Sequence, residues 1–348
     1  MIKEAINKLT NRKNLNFEES KRVFEEIFDH QSTFSQIAAF LTSLKMKGEV
    51  EDEIFAAAIV IRERANKLNV LGDAFLDLKD KTQQIMDTCG TGGSGLNKFN
   101  ISTAVGFVVS SLGIKVAKHG NRAMSSSCGS ADVLEAMGIN ISVPTSVMEE
   151  AIKKIGIGFL YAPLYHPALK EVGQIRREIG VRTIFNILGP LCNPAFANYQ
   201  LLGVYNKDLA PIIARVLKKL GVKRAFVVCG KDLKDEISLT GQTEVSFVNN
   251  KKITNFLLSP SSFGLKKIKV EDLIVKNKNE SARVIKNILK GMTGPTRDVV
   301  LANAAACFYI LGKVEDFKKG VKLAAQLIDE GKSQNKFMEF KKFLDKNA

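Results

Sequence analysis

The chain has 348 residues, 45% hydrophobic and 25% charged, with 51 basic against 36 acidic residues and a net charge of +15. Those proportions suit a globular chain of two domains, or of one large domain with a satellite. The longest apolar runs, IFAAAIVI and LANAAACFYILG, are too short to cross a bilayer.

The start, MIKEAINKLTNRKN, has no apolar signal core, so a cytoplasmic location and no membrane partner are expected. The five cysteines are scattered with no metal or redox spacing and read as reduced and packed. The positive charge leaves three readings open: lysine-rich surface usage, a field for a polyanionic small substrate, or a nucleic-acid face.

Residues 1–70 read as helices only. Asn16 followed by Glu19, and Thr33 followed by Gln36, are capping-box signals, and Gly48 suits a C-cap. VEDEIFAAAIVIRERANKL forms a third helix, acidic at its start and basic at its end, as the helix dipole favours.

Near residue 84 the pattern changes to short β-rich stretches, IMDTCG, IKVAKHG, IGFLYAP, YQLLGVY and AFVVCG, alternating with helices near 102–112, 130–137, 146–155 and 208–220. That alternation predicts an α/β fold with a mostly parallel central sheet flanked by helices. TEVSFVNN and KITNFLLSP, within 243–260, read as a hairpin, and after Glu271 the chain returns to helix. The helical piece HPALKEVGQIRREIG, 166–180, either covers the sheet or folds back onto the N-terminal helices.

DTCGTGGSGLNKFNIST joins the first strand to a helix. Its glycines expose backbone N–H groups that can form an anion-binding concavity, with a helix N-terminus behind and Asn100, Ser102 and Thr103 as side-chain donors at the cap. A plain flexible turn is the other reading. The spacing matches neither the nucleoside-triphosphate loop nor the dinucleotide fingerprint. KHGNRAMSSSCGSADVLEAMG follows the next strand and places Lys118, His119, Asn121, Arg122 and a run of serines at a second strand-to-helix junction, where both loops can share one ligand.

GTGGSGLNKFNIST, KHGNRAMSS, GSADVLEAMG, RTIFNILGPLCNP and DEIS, in that order, resemble the anthranilate phosphoribosyltransferase family. The resemblance implies a class III phosphoribosyltransferase of nucleoside-phosphorylase-like fold. A small all-helical domain, 1–71 joined by about 168–187, would accompany a larger α/β domain, 72–167 and 188–348. It implies small-molecule substrates, anthranilate and 5-phosphoribosyl 1-pyrophosphate (PRPP), two magnesium ions, a homodimer, and no nucleic-acid partner.

By the same resemblance Gly90, Gly93, Ser94, Lys98, Asn100, Ile101, Ser102, Thr103, Lys118, Asn121, Ser125, Ser126 and Ser130 would hold PRPP. Gly90, His119, Asn121, Arg176, Gly189 and Pro190 would border anthranilate; Lys118, His119 and Arg176 would be catalytic; Ser102, Asp235 and Glu236 would bind magnesium. Ser94 and Lys98 stand where the family pattern has aspartate and threonine, so Lys98 is expected to replace part of the metal's charge. Two rival readings are a pyrimidine nucleoside phosphorylase and a basic nucleic-acid-binding relative without transferase activity.

Overall fold

A computed structural model describes residues 1–70, 83–123 and 128–347. Its sheet has strands β1 (Ile85–Asp87), β2 (Lys115–Gly120), β3 (Ile157–Tyr161), β4 (Tyr199–Gly203), β5 (Arg224–Gly230), β6 (Thr243–Asn249) and β7 (Lys252–Leu258), in the order β3-β2-β1-β4-β5-β6-β7. The first five in that order are parallel, and β6 and β7 add an antiparallel hairpin as expected. β1 and β4 are buried along their whole length, because helices cover both sheet faces and no residue can point to water. β7 is the edge strand, and Lys252, Thr254, Asn255 and Leu257 on it are exposed.

The two faces of the sheet carry separate cores. One unites helices Ile101–Ser110, Lys278–Leu289, Pro295–Ile310 and Lys332–Asn347 through residues such as Phe107, Ile285, Phe308 and Phe340. The other joins helix Leu209–Lys219, on the opposite face, to the N-terminal helices Ile2–Thr10, Phe17–Phe28, Phe34–Lys47 and Glu51–Glu63. Phe24 sits edge-on to Phe40 at 5.6 Å and to Phe185 at 6.3 Å, a geometry that suits the ring quadrupoles. Arg215 and Lys219 pair with Glu51 and Asp52 across the same contact.

The helical piece after His166 folds back onto the N-terminal helices: helix Leu169–Ile179 places Val172 and Ile175 in that second core. Both capping boxes form as read, Glu19 N–H donating to Asn16 at 2.9 Å and Gln36 N–H to Thr33 at 3.3 Å. Gly48 caps its helix with φ +92°. The helix read over VEDEIFAAAIVIRERANKL is the fourth of the N-terminal helices, Glu51–Glu63, and stops five residues before Leu68. Among the described residues no helix is long and apolar enough to cross a membrane.

Candidate active site

The strand order reverses around β1, which has β2 on one side and β4 on the other. Beyond the carboxyl ends of the strands at such a reversal, open α/β sheets leave a crevice. A cleft of about 300 Å³ opens there, walled by the loops after β1, β2 and β5 and by residues of helix Leu169–Ile179 and of the segment 185–192.

Both ends of the glycine-rich loop are tied down. At its start Thr91 N–H donates to Gly203 O at 2.8 Å and its hydroxyl accepts from Tyr205 N–H at 3.2 Å. At its end Phe99 N–H donates to Leu273 O at 3.0 Å, and Asn97 O accepts from Val275 N–H at 2.8 Å. Gly93 lies at φ +82°, and a Cβ there would sit 3.0 Å from the Arg182 guanidinium, so conformation and space both call for glycine. Arg182 donates from Nη2 to Gly93 O at 2.8 Å and lies over the Tyr205 ring at 4.5 Å, tying the loop to the chain that leaves helix Leu169–Ile179.

The second loop brings Lys118 and His119, both buried, to the same cleft. The Lys118 ammonium makes no hydrogen bond among the described residues. It lines the cleft together with Gly90 and Gly93, and its charge acts on Asp87 and Glu236. His119 Nδ1 lies 2.9 Å from Gly189 O. A carbonyl only accepts, so Nδ1 carries the proton and Nε2, which has no partner among the described residues, is left as the acceptor. Burial pushes the His119 pKa down to about 4, so the ring is neutral at pH 7.

One buried carboxylate sets the spacing of the two loops. Asp87 Oδ1 accepts from Cys89 N–H at 3.0 Å and from His119 N–H at 3.2 Å, so it touches the start of each loop. Its Oδ2 accepts from Asn193 Nδ2 at 2.7 Å, and the same amide donates to Ala117 O at 2.8 Å. Burial raises the Asp87 pKa to about 6, against the opposing pull of Asn193 and Lys118. The sequence reading missed Asp87, Asn193 and Arg182. Their only local signals are an acid closing a strand before the glycines and the polar residues at the ends of RTIFNILGPLCNP.

Across the cleft lie Asp235 and Glu236. Lys98 donates to Asp235 Oδ1 at 2.5 Å and to Leu233 O at 3.0 Å. Burial raises the pKa of Glu236, while Lys98, Lys118 and the Ser102 backbone N–H pull it down. The described residues contain no cluster of three or more His, Cys, Asp or Glu side chains able to cage a metal. Magnesium needs no such cage: one or two carboxylates plus substrate phosphates and water suffice. Glu236 beside Ser102 fits that requirement, while Asp235 is paired with Lys98.

Of the residues expected at the site, Gly90, Gly93, Ser94, Lys98, Asn100, Ile101, Ser102, Lys118, His119, Asn121, Ser130, Arg176, Gly189, Pro190, Asp235 and Glu236 all line the cleft. Thr103 does not; it is buried one position further along the helix, and its hydroxyl donates back to Asn100 Oδ1. That bond occupies the Asn100 side chain, which therefore forms no helix cap. Arg122 binds Glu135 at 2.7 Å and Asp132 at 3.1 Å, which fastens the second loop to helix Ser130–Ala136. Ser125 and Ser126 lie outside the described residues.

The two buried histidines each make stability depend on pH. Unfolded, each titrates near 6.5; folded, burial holds His119 to about 4 and His166 to about 3. Between those limits the unfolded chain binds more protons, so their contribution is complete above pH 6.5 and is lost as pH falls. Asp87 acts oppositely, at about 6 folded against 3.8, so its contribution is complete below pH 3.8 and is lost as pH rises through about 6. Burial raises Glu236 in the same sense as Asp87, so the two carboxylates oppose the two histidines, and a single-site change isolates one contribution. His166→Asn should reduce the slope of unfolding free energy between pH 4 and 6 by roughly 1.4 kcal/mol per pH unit, one proton's worth. An unchanged slope in urea titrations at several pH values would remove His166 from the account.

Residues 3–65 match the helical bundle domain of the glycosyl transferase family, and residues 82–334 match its a/b domain. The chain is 48% identical over 335 residues to the anthranilate phosphoribosyltransferase of Geobacter sp. strain M21, covering 95% of both chains. It superposes on the crystal structure of anthranilate phosphoribosyltransferase from Thermus thermophilus with TM-score 0.89 at 36% identity, covering 98% of this chain and 99% of that one. On the Saccharomyces cerevisiae enzyme in complex with PRPP and Mg the TM-score is 0.86 at 26% identity, covering 99% of this chain and 98% of that one.

Proposed function

The chain belongs to the anthranilate phosphoribosyltransferase family, and from that premise we propose how its residues carry the reaction. It is an enzyme that transfers the phosphoribosyl group of PRPP to the amine of anthranilate, giving N-(5-phosphoribosyl)anthranilate and pyrophosphate. The observation that carries the residue assignment is Lys118, a buried residue whose ammonium has no hydrogen bond among the described residues and which lines the cleft with Gly90 and Gly93. Such a wall suits a phosphate oxygen.

The aromatic amine of anthranilate is neutral at pH 7 and attacks without first losing a proton. The harder event is breaking the bond from ribose C1 to pyrophosphate, which builds negative charge on the departing oxygens. Lys118 and the N–H groups of the glycine loop stabilise that charge from fixed positions. Asp87 holds the two loops at the spacing the diphosphate needs. His119, neutral and fixed by its Nδ1–H bond to Gly189 O, forms an uncharged wall beside the anthranilate ring. Asn121, Gly189 and Pro190 border the aromatic ring beside it. Ser102 and Glu236 would hold one magnesium ion; bound there, it supplies Lewis-acid stabilisation of the diphosphate oxygens.

Arg176, half-buried over the Phe185 ring at 5.6 Å, grips the anthranilate carboxylate. Arg176→Ala should raise KM for anthranilate about 10- to 100-fold, the usual size of one charge-assisted bond, and leave KM for PRPP close to wild type. Unaltered anthranilate kinetics would place the carboxylate elsewhere.

The chain acts as a homodimer through its helical part, a reading supported by Phe34 and Met46, which are 52% and 72% exposed on those helices. Light scattering of the purified chain checks the assembly state. Anthranilate fluorescence tests the reaction directly: with PRPP and magnesium present, loss of signal is expected, and a chain inert to both substrates overturns the reading. A phosphorolysis assay with thymidine and a salt-dependent DNA gel shift test the rival functions, and both should be negative.

A further inference from the structure

We propose that Lys98 is a built-in cation: its ammonium holds Asp235 in place of a second divalent ion, so the chain binds its diphosphate substrate with a single magnesium. This rests on the phosphoribosyl reading of the site and sets its ion count.

Three observations support it. The Lys98 ammonium lies 2.5 Å from Asp235 Oδ1 and 3.0 Å from Leu233 O, and both side chains are about a tenth exposed, at 10% and 11%. An ion pair this close and this dry is held by charge-assisted bonding. A hydrated divalent ion reaching Asp235 must first evict a cation from it, and magnesium gives up its waters reluctantly.

The backbone that carries Lys98 is fixed. Lys98 pairs with Ile274 in an antiparallel bridge. The flanking bonds, Phe99 N–H to Leu273 O at 3.0 Å and Val275 N–H to Asn97 O at 2.8 Å, hold it on either side. Asn100 N–H donates to Ser281 Oγ at 3.0 Å, so the anchor continues into the helix. Movement of the glycine loop therefore does not carry the ammonium away from Asp235.

Glu236, by contrast, is not bonded to Lys98; it is buried and lines the same cleft as Ser102, at the N-terminus of helix Ile101–Ser110. The adjacent carboxylates are thus divided: Asp235 is neutralised by the protein, and Glu236 remains for one ion shared with the diphosphate. The pair also lines the cleft, where a purely structural ion pair has no reason to lie.

The test counts ions with anthranilate absent, so that no turnover occurs. Manganese is titrated against the PRPP-saturated chain and free manganese is read by electron paramagnetic resonance. The wild-type chain should take up one ion per protomer with PRPP; Lys98→Thr and Lys98→Met should take up two, the second at least tenfold tighter than any second ion on wild type. Lys98→Met retains the aliphatic stem should the threonine variant fold poorly, and adding Asp235→Asn to either should return the count to one. Two ions of similar affinity on the wild-type chain overturn the inference with no variant needed, as do equal counts in wild type and both variants. Failure of the chain to bind PRPP at any manganese concentration overturns the phosphoribosyl reading, and the inference with it.

Discussion

Turnover of the Lys118→Met variant should fall about 10²- to 10³-fold, while the protein stays folded and KM for anthranilate changes little. The magnitude is that of removing one preorganised donor from developing anionic charge, ~3 kcal/mol in the transition state. Lys118 is 5% exposed at the end of β2, with Asp87 and Glu236 as the charged groups it acts upon. Methionine fills the same space and keeps the apolar stem. The folded state loses an ammonium that has no hydrogen bond among the described residues, so the cost to stability should be small. Stopped assays with saturating substrates measure the first effect and a thermal melt the second. A variant turning over within threefold of wild type would mean that the diphosphate is stabilised elsewhere and would remove the observation on which the site assignment stands.

Gly203→Ala should cost the fold roughly 3 kcal/mol, at the upper end for forcing an extra methyl into a packed place, and should reduce magnesium-dependent turnover at least tenfold. A Cβ at Gly203 would lie 1.8 Å from Asp235 O and 2.2 Å from the Asp235 carbonyl carbon, with no flexible side chain in between to yield. The Asp235 segment has little freedom to retreat. Gly230 and Lys234 exchange backbone bonds at 2.7 and 2.9 Å on one side of it, and Ile237 N–H is held by Asn303 Oδ1 at 3.1 Å on the other. Gly230, at the end of β5, leaves equally little room, since a Cβ there would lie 2.3 Å from Glu236 O. The ends of two neighbouring strands thus lack side chains so that the carboxylate segment can cross against their backbone. Urea denaturation and a magnesium titration of activity check both effects together; an alanine variant with wild-type stability and metal dependence would show that the segment moves freely.

Features read correctly from the amino-acid sequence are those whose cause lies within a few residues. Asn16 and Glu19, or Thr33 and Gln36, cap a helix because each satisfies a backbone donor three positions away. The hairpin of β6 and β7 is legible from two β-rich stretches around a polar turn, where Asn250 adopts φ +54°. Regular alternation of strand and helix implies parallel strands, and parallel strands bring all their following loops to one edge, so the glycine loop and KHGN could be assigned to one ligand before the strand order was known. Thr103 lies off the cleft for a geometrical reason: one residue past Ser102 the helix has turned its side chain back toward Asn100.

What the sequence by itself determined is therefore the class of fold, the glycine-rich and polar character of two loops and the identity of many residues along the cleft, because backbone conformation and periodicity are local properties. Only the tertiary structure decided which charges meet. Lys98 and Asp235 are 137 residues apart, Arg182 and Gly93 are 89 apart, and Asp87 and Asn193 are 106 apart. Each pairing depends on the order of strands in the sheet and on which helices cover it, outcomes settled by packing the whole chain around two cores. No window of sequence contains both members of any of these pairs, and an electrostatic partner is defined by distance in space.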